Sequence, residues 1–223
     1  MKNSKQISNP YREVGILHNE GLGYLIENLN PNVPVNIEKI IELTGQYLLT
    51  ITNSTSKSEL ACYFEFVATT INKLNLIPFY EFLREAKVTK EGICFINEIQ
   101  NISPDFDLPT TLKVLTNIES NILISEMTEN EKQFPLICVA AAKSSVEYWI
   151  TQINDPNSLW IPFVGDPIEF KWPWKSDANG AIAGAIGGAI GGVLGGPSGI
   201  LIGGLLGAIG GAIGASVADA LID

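Results

Sequence analysis

From Ala178 to Ala218 the chain runs 41 residues without a charged side chain, and fifteen of those residues are glycine. All 14 lysines and arginines lie at or before Lys175, while only Asp177, Asp219 and Asp223 carry charge beyond it. The formal charge of −10 therefore divides into −7 for residues 1–175 and −3 for the tail. Such a break in composition marks a structural boundary. Excess acid across the chain also argues against binding to nucleic-acid phosphates, which takes cationic side chains.

The tail repeats every four residues. Gly180, Gly184, Gly188, Gly192 and Gly196 form one row, and Ile182, Ile186, Ile190 and Leu194 another. On a helix each row becomes a slanted ridge, and rows of bare glycine form a groove into which a second helix fits backbone to backbone. After Gly196-Pro197-Ser198-Gly199, read as a turn, the pattern resumes at Gly199, Gly203, Gly207 and Gly211. The two arms, 178–196 and 199–218, hold 19 and 20 residues. Each would span about 30 Å as a helix, the thickness of a bilayer's hydrocarbon core.

A membrane-associating helical hairpin is the leading expectation. Its helix-packing residues would be Gly180, Gly184, Gly188, Gly192, Gly203, Gly207 and Gly211. Lys171, Trp172, Trp174 and Lys175 would sit at the membrane interface, where indole rings and lysine ammonium groups favour the headgroups. Two other fates suit the same composition: packing inside a soluble protein assembly, or disorder. Energetics make insertion marginal. Each glycine costs a helix in water about 0.8–1 kcal/mol relative to alanine, and the first arm has only Ile182, Ile186, Ile190, Val193 and Leu194 as large apolar residues. Their contribution to insertion is about −1.5 to −3 kcal/mol, so pairing of the arms or oligomerisation has to assist. A hairpin of this kind suits a protein that exists both dissolved and inserted.

Residues 1–153 read as an all-helical soluble domain. Asn9-Pro10 opens a helix carrying Val14, His18, Leu22, Leu25 and Leu29 on one face, and Pro31 and Pro34 stop it. Further helices are expected from Ile37 to about Thr52, from Ser56 or Ser58 past Ile71, from Pro78 to Lys87, and from Glu91 to Gln100. Two more begin at Thr110 or Thr111 and at about Asn130, the latter reaching Gln152. No strand alternation or hairpin turn signal stands out. Residues 154–176, with four prolines and three of the four tryptophans, read as an extended connector. The fold class is thus mainly α: helical domain, Pro/Trp-rich connector, and the hairpin over 177–223.

Little in the sequence suggests catalysis, and no catalytic residue, metal site or cofactor is expected. His18 is the sole histidine, and its place on an apolar helix face reads as a hydrogen-bonded core residue. There is no His-Glu-x-x-His, no Gly-x-Ser-x-Gly and no glycine loop before Lys143-Ser144. Asp105-Phe106-Asp107, between two prolines, reads as a loop, and the cluster Glu126, Glu129 and Glu131 as a solvated helix junction. Cys62, Cys94 and Cys138, each among apolar residues, read as buried thiols. No apolar leader follows Met1, so the protein is expected to start in the cytoplasm.

The run from Asn9 to Leu22 (NPYREVGILHNEGL) resembles the opening of an uncharacterised group of bacterial helical proteins. Ala141 to Trp149 (AAKSSVEYW) is similar to a later element of that group, which implies no activity. The tail is similar to glycine-zipper segments of bacterial envelope proteins and of small pore-forming bacteriocins. A lipid bilayer, and other copies of the chain through the hairpin, are the expected partners. The site of action would be the cytoplasmic membrane, with both hairpin ends cytoplasmic, or a target membrane after release.

Overall fold

The computed structural model describes residues 8–52, 81, 83–84, 88–103, 106–164, 173, 175–178, 180–181 and 196–221. The protein is mainly α, with no strand among the described residues. Its described helices are α1 (Arg12–Asn28), α2 (Ile37–Thr52), α3 (Lys90–Gln100), α4 (Leu108–Ile124), α5 (Glu129–Asn154), α6 (Ile161–Val164) and α7 (Gly196–Leu221).

Local chemistry sets the starts of several helices. Asp107 caps α4 by accepting from the Thr110 N–H at 2.7 Å, which draws its carboxyl below the usual range. The helix therefore begins before Thr110, with Pro109 in its first turn, where a missing N–H does no harm. At α5, Thr128 and Glu131 exchange side-chain to backbone bonds in a capping box, so part of the expected acidic junction is a helix start. Asn36 accepts from the Lys39 N–H at 2.9 Å ahead of α2. Asn9 departs from the capping role expected of it. Its side-chain Oδ1 accepts from the Tyr11 N–H, and its side-chain amide donates to Glu119 Oε1 and the Leu136 carbonyl, tying this stretch to α4 and α5.

Helix α5 is the spine, packing on α1, α3 and α4. One face, with Leu136, Cys138, Val139, Ala142 and Val146, joins the core of α3 and α4. Another, with Ile137, Ala141 and Trp149, joins the core of α1, α2 and α7. A helix buried on two sides has no single apolar stripe, and its sequence shows none.

Two elements differ from the sequence reading. Trp160, in the expected connector, is 2% exposed. Its ring meets Trp149 edge-on at 4.9 Å, and its indole N–H donates to the Tyr148 hydroxyl at 2.7 Å. The described connector is folded back because Asp155 starts a turn, accepting from the Asn157 and Ser158 N–H groups, and α6 follows. The Gly196–Gly199 break is likewise the first turn of α7, since proline at a second helical position displaces no hydrogen bond.

The described part of α7 lies in the core. Ala208, Ile209, Ala212, Ile213 and Val217 are buried with Val14, Leu22 and Leu25 of α1 and Ile40, Leu43 and Leu48 of α2. Charge composition changes at residue 176; the packing here runs straight across it. Tertiary contact of this kind sustains a glycine-rich helix that would not form alone.

Candidate functional site

The first glycine arm is rooted where α1 crosses α5. Gly15 lies against the Ala140 carbonyl and the Ser144 side chain, leaving no room for a Cβ. Close approach of the helices brings the next turn of α1 onto α5. There the Asn19 amide donates to the Ser144 carbonyl at 2.8 Å. That bond turns the Asn19 oxygen toward His18, whose Nδ1 lies 2.9 Å away. An amide oxygen only accepts, so Nδ1 carries the ring proton and Nε2 presents a lone pair.

Nε2 faces Asp177 Oδ2 at 3.4 Å. The two atoms touch without a hydrogen bond, since Nε2 has no hydrogen-bonding partner among the described residues and, with the proton on Nδ1, offers no N–H to the carboxyl oxygen. Ser145 donates its hydroxyl to the same carboxylate oxygen. His18, Ser145 and Asp177 are all fully buried. Loss of hydration disfavours the charged imidazole and lowers the His18 pKa from 6.5 to about 4, against the opposing bond to Asn19. His18 is thus neutral near pH 7.

A second tie lies two residues earlier, where the Lys175 ammonium donates to the Ile102 carbonyl at 2.7 Å. The Asp177 N–H donates to the Pro173 carbonyl at 3.0 Å, closing a helical turn between the two ties. Beyond this root, Gly180 abuts the Gly211 carbonyl and Ala215 of α7. On α7's other side, Gly21 of α1 receives the end of Ile213, and Gly210 receives Leu48 of α2.

Of the expected packing glycines, Gly180 and Gly211 are brought together, and Gly207 is buried. Gly203 lies within α7, while Gly184, Gly188 and Gly192 lie outside the described residues. Of the expected interface residues, Lys171, Trp172 and Trp174 also lie outside them, and Lys175 is the tie to Ile102. Asp105 and Cys62 are likewise outside. Cys138 is buried and its thiol pushed up by desolvation, but Cys94, expected to be buried, is exposed. Its position on α3 points away from the apolar face formed by Ile93, Ile96 and Ile99.

Histidine, serine and aspartate do meet, but not as a nucleophilic triad. In a triad the imidazole stands between the hydroxyl and the acid; here the acid is central and nothing reaches solvent. Sequence reasoning missed Asp177, which it counts only among the three acids beyond Lys175. The signal was the lone histidine on an apolar face, since a buried polar ring needs a partner.

Among the described residues no group of three or more His, Cys, Asp or Glu could hold a metal ion. Among them, too, no helix is long and apolar enough to cross a membrane. No family model, curated protein or solved structure matches the chain.

Proposed function

We propose that the chain is a non-enzymatic membrane-associating protein whose glycine-rich tail is stowed in the helical bundle when dissolved and pairs with itself or with other copies in a bilayer. The observation that carries this reading is the charge-free run from Ala178 to Ala218 with its four-residue glycine repeat. The contact of Gly180 with Gly211 supports it, because the two stretches meet through backbone, as membrane helix pairs do. Oligomerisation, and pore formation in the manner of a toxin, would follow from the same surfaces.

The test is fractionation of cells expressing the full chain, with an alkaline wash, alongside flotation with phosphatidylcholine/phosphatidylglycerol vesicles. Retention in the washed pellet and flotation with vesicles are expected. Protein that stays in the supernatant and ignores vesicles from neutral to acidic pH would refute the reading. Truncation at 177 is a poor test, since it strips Ile209, Ile213 and Val217 from the core of α1 and α2.

One observation favours a second reading, a soluble scaffold or cargo protein. The described apolar residues of α7 already have partners within this chain. That reading expects a soluble oligomer in the same fractionation.

A further inference from the structure

We propose that His18 and Asp177 form a proton-operated latch that holds the root of the tail on α1 and α5 at neutral pH and lets it go in acid. The inference deepens the membrane reading and rests on it for its purpose, but its mechanism is a property of the folded chain alone.

The geometry singles out this spot. Asp177 immediately precedes the charge-free run, so its contacts fix where that run begins. Its carboxyl group accepts the Ser145 hydroxyl of α5 and lies against the uncharged imidazole of His18 on α1, so it is packed between two helices. A proton arriving at Nε2 would make a cation with no exposed surface. Asp177 Oδ2 stands 3.4 Å away without hydrogen-bonding alignment, and the Ser145 hydroxyl already occupies it. A buried ion pair repays its desolvation only with good geometry and full hydrogen bonding. Opening the root instead gives water to both groups. The low pKa of His18 agrees in direction, because the folded site resists the charge.

Among the described residues, no other counterion is in contact with His18. On α1, Asn19 is neutral, and Glu20 has its carboxylate 3.4 Å from the Tyr47 hydroxyl of α2. On α5, Ser144 and Ser145 are neutral, and the Lys143 ammonium pairs with Glu119 of α4 at 2.5 Å. The nearby contact from α7 is apolar, through Ile213 on Gly21. In the root itself, Lys175 is directed to the Ile102 carbonyl.

The test is hydrogen exchange by mass spectrometry on the lipid-free full chain at pH 7 and about pH 4.5, corrected for intrinsic rates. An imidazole NMR titration accompanies it, its signal unambiguous because the chain has one histidine. Uptake of one proton raises the opening constant by up to about tenfold per pH unit. Residues 175–181 and α7 should therefore lose protection severalfold or more in acid while α4 keeps its own. The His18 signal should move in the same step, and His18→Gln should flatten the pH dependence. Should that variant not fold, the wild-type coincidence of titration and opening decides. PH-independent protection of 175–181, titration of His18 without opening, or an undiminished response in folded His18→Gln would overturn the latch. In a parallel vesicle arm, opening without lipid binding refutes the membrane reading and leaves the latch, whereas lipid binding with no pH-dependent opening does the reverse.

Discussion

Two glycines of the tail should respond with opposite sign to the same added methyl group. At Gly180 a Cβ would fall 2.7 Å from both the Ala215 Cβ and the Gly211 carbonyl carbon. Neither is the end of a flexible side chain, so the 175–181 segment and α7 would have to separate by several tenths of an ångström. Overpacking of this kind costs about 1–3 kcal/mol, offset by about 1 kcal/mol of helix propensity. At Gly214, in the same glycine-rich tail, a Cβ meets nothing within 4 Å, and the propensity gain of about 1 kcal/mol stands alone. Gly180→Ala should therefore be less stable than Gly214→Ala by about 1–3 kcal/mol. Urea unfolding followed by far-ultraviolet circular dichroism at neutral pH measures the difference, provided the slopes match. Equal stability, or the reverse order, would refute the close contact of Gly180 with Gly211 and Ala215 of α7.

Acid should weaken the whole fold through the same histidine that guards the root. The His18 pKa falls from 6.5 to about 4 on folding, so between those values the unfolded chain binds more protons. Stability is full above about pH 6.5 and falls as pH drops toward 4, by about 3 kcal/mol in all. Urea midpoints across that window should show the decline in the wild type and a smaller one in His18→Gln. Maleimide labelling of the native protein should modify Cys94, which is exposed, and leave Cys138, which is buried, until denaturant is added. Rapid native labelling of Cys138 would contradict the packing of α5.

Legibility followed the range of the interactions. The bounds of α2 follow from residues near in sequence: Pro34 and Asn36 before it, and the apolar spacing of Ile40, Leu43, Tyr47 and Leu48 within it. The start of α5 lies close to the expected Asn130, and the local pair Thr128-x-x-Glu131, read as part of a solvated junction, sets it at Glu129 through a reciprocal bond. Asp177 was opaque because its partners, Ser145 and His18, are 32 and 159 positions away. Trp160 misled because prolines and aspartates speak of turns and not of where the turned chain docks. The glycine repeat is plain in sequence, but it specifies only that something approaches closely. That Gly21 of α1 and Leu48 of α2 would meet α7, as well as Gly211 meeting Gly180, depends on the whole bundle.

Polar satisfaction is also uneven across the bundle, and this bears on which part opens first. Where α1 and α4 meet α5, the buried polar groups are well used: Asn19 on Ser144, Lys143 on Glu119, and Asn9 on Glu119 and Leu136. Along the tail the pattern differs. Thr44 Oγ1 on α2 is buried without a hydrogen-bonding partner among the described residues, and the Thr44 methyl lies 3.8 Å from where a Gly210 Cβ would be. Ser216 Oγ on α7 and His18 Nε2 at the root share that state. Each such atom costs about 1–3 kcal/mol when buried, and opening returns all three to water. The seam between the tail and the bundle should then break before the bundle does. Native-state hydrogen exchange at pH 7 in low denaturant should show the α7 amides opening at lower free energy than those of α4 and α5, as a separate cooperative unit. Thr44→Val, which keeps the shape and removes the orphan hydroxyl, should raise the opening free energy of α7 by about 1 kcal/mol and leave α4 unchanged. Equal opening energies for α7 and α5, with no effect of the substitution, would mean that the tail is as firmly built in as the helices it touches and has no separate opened state.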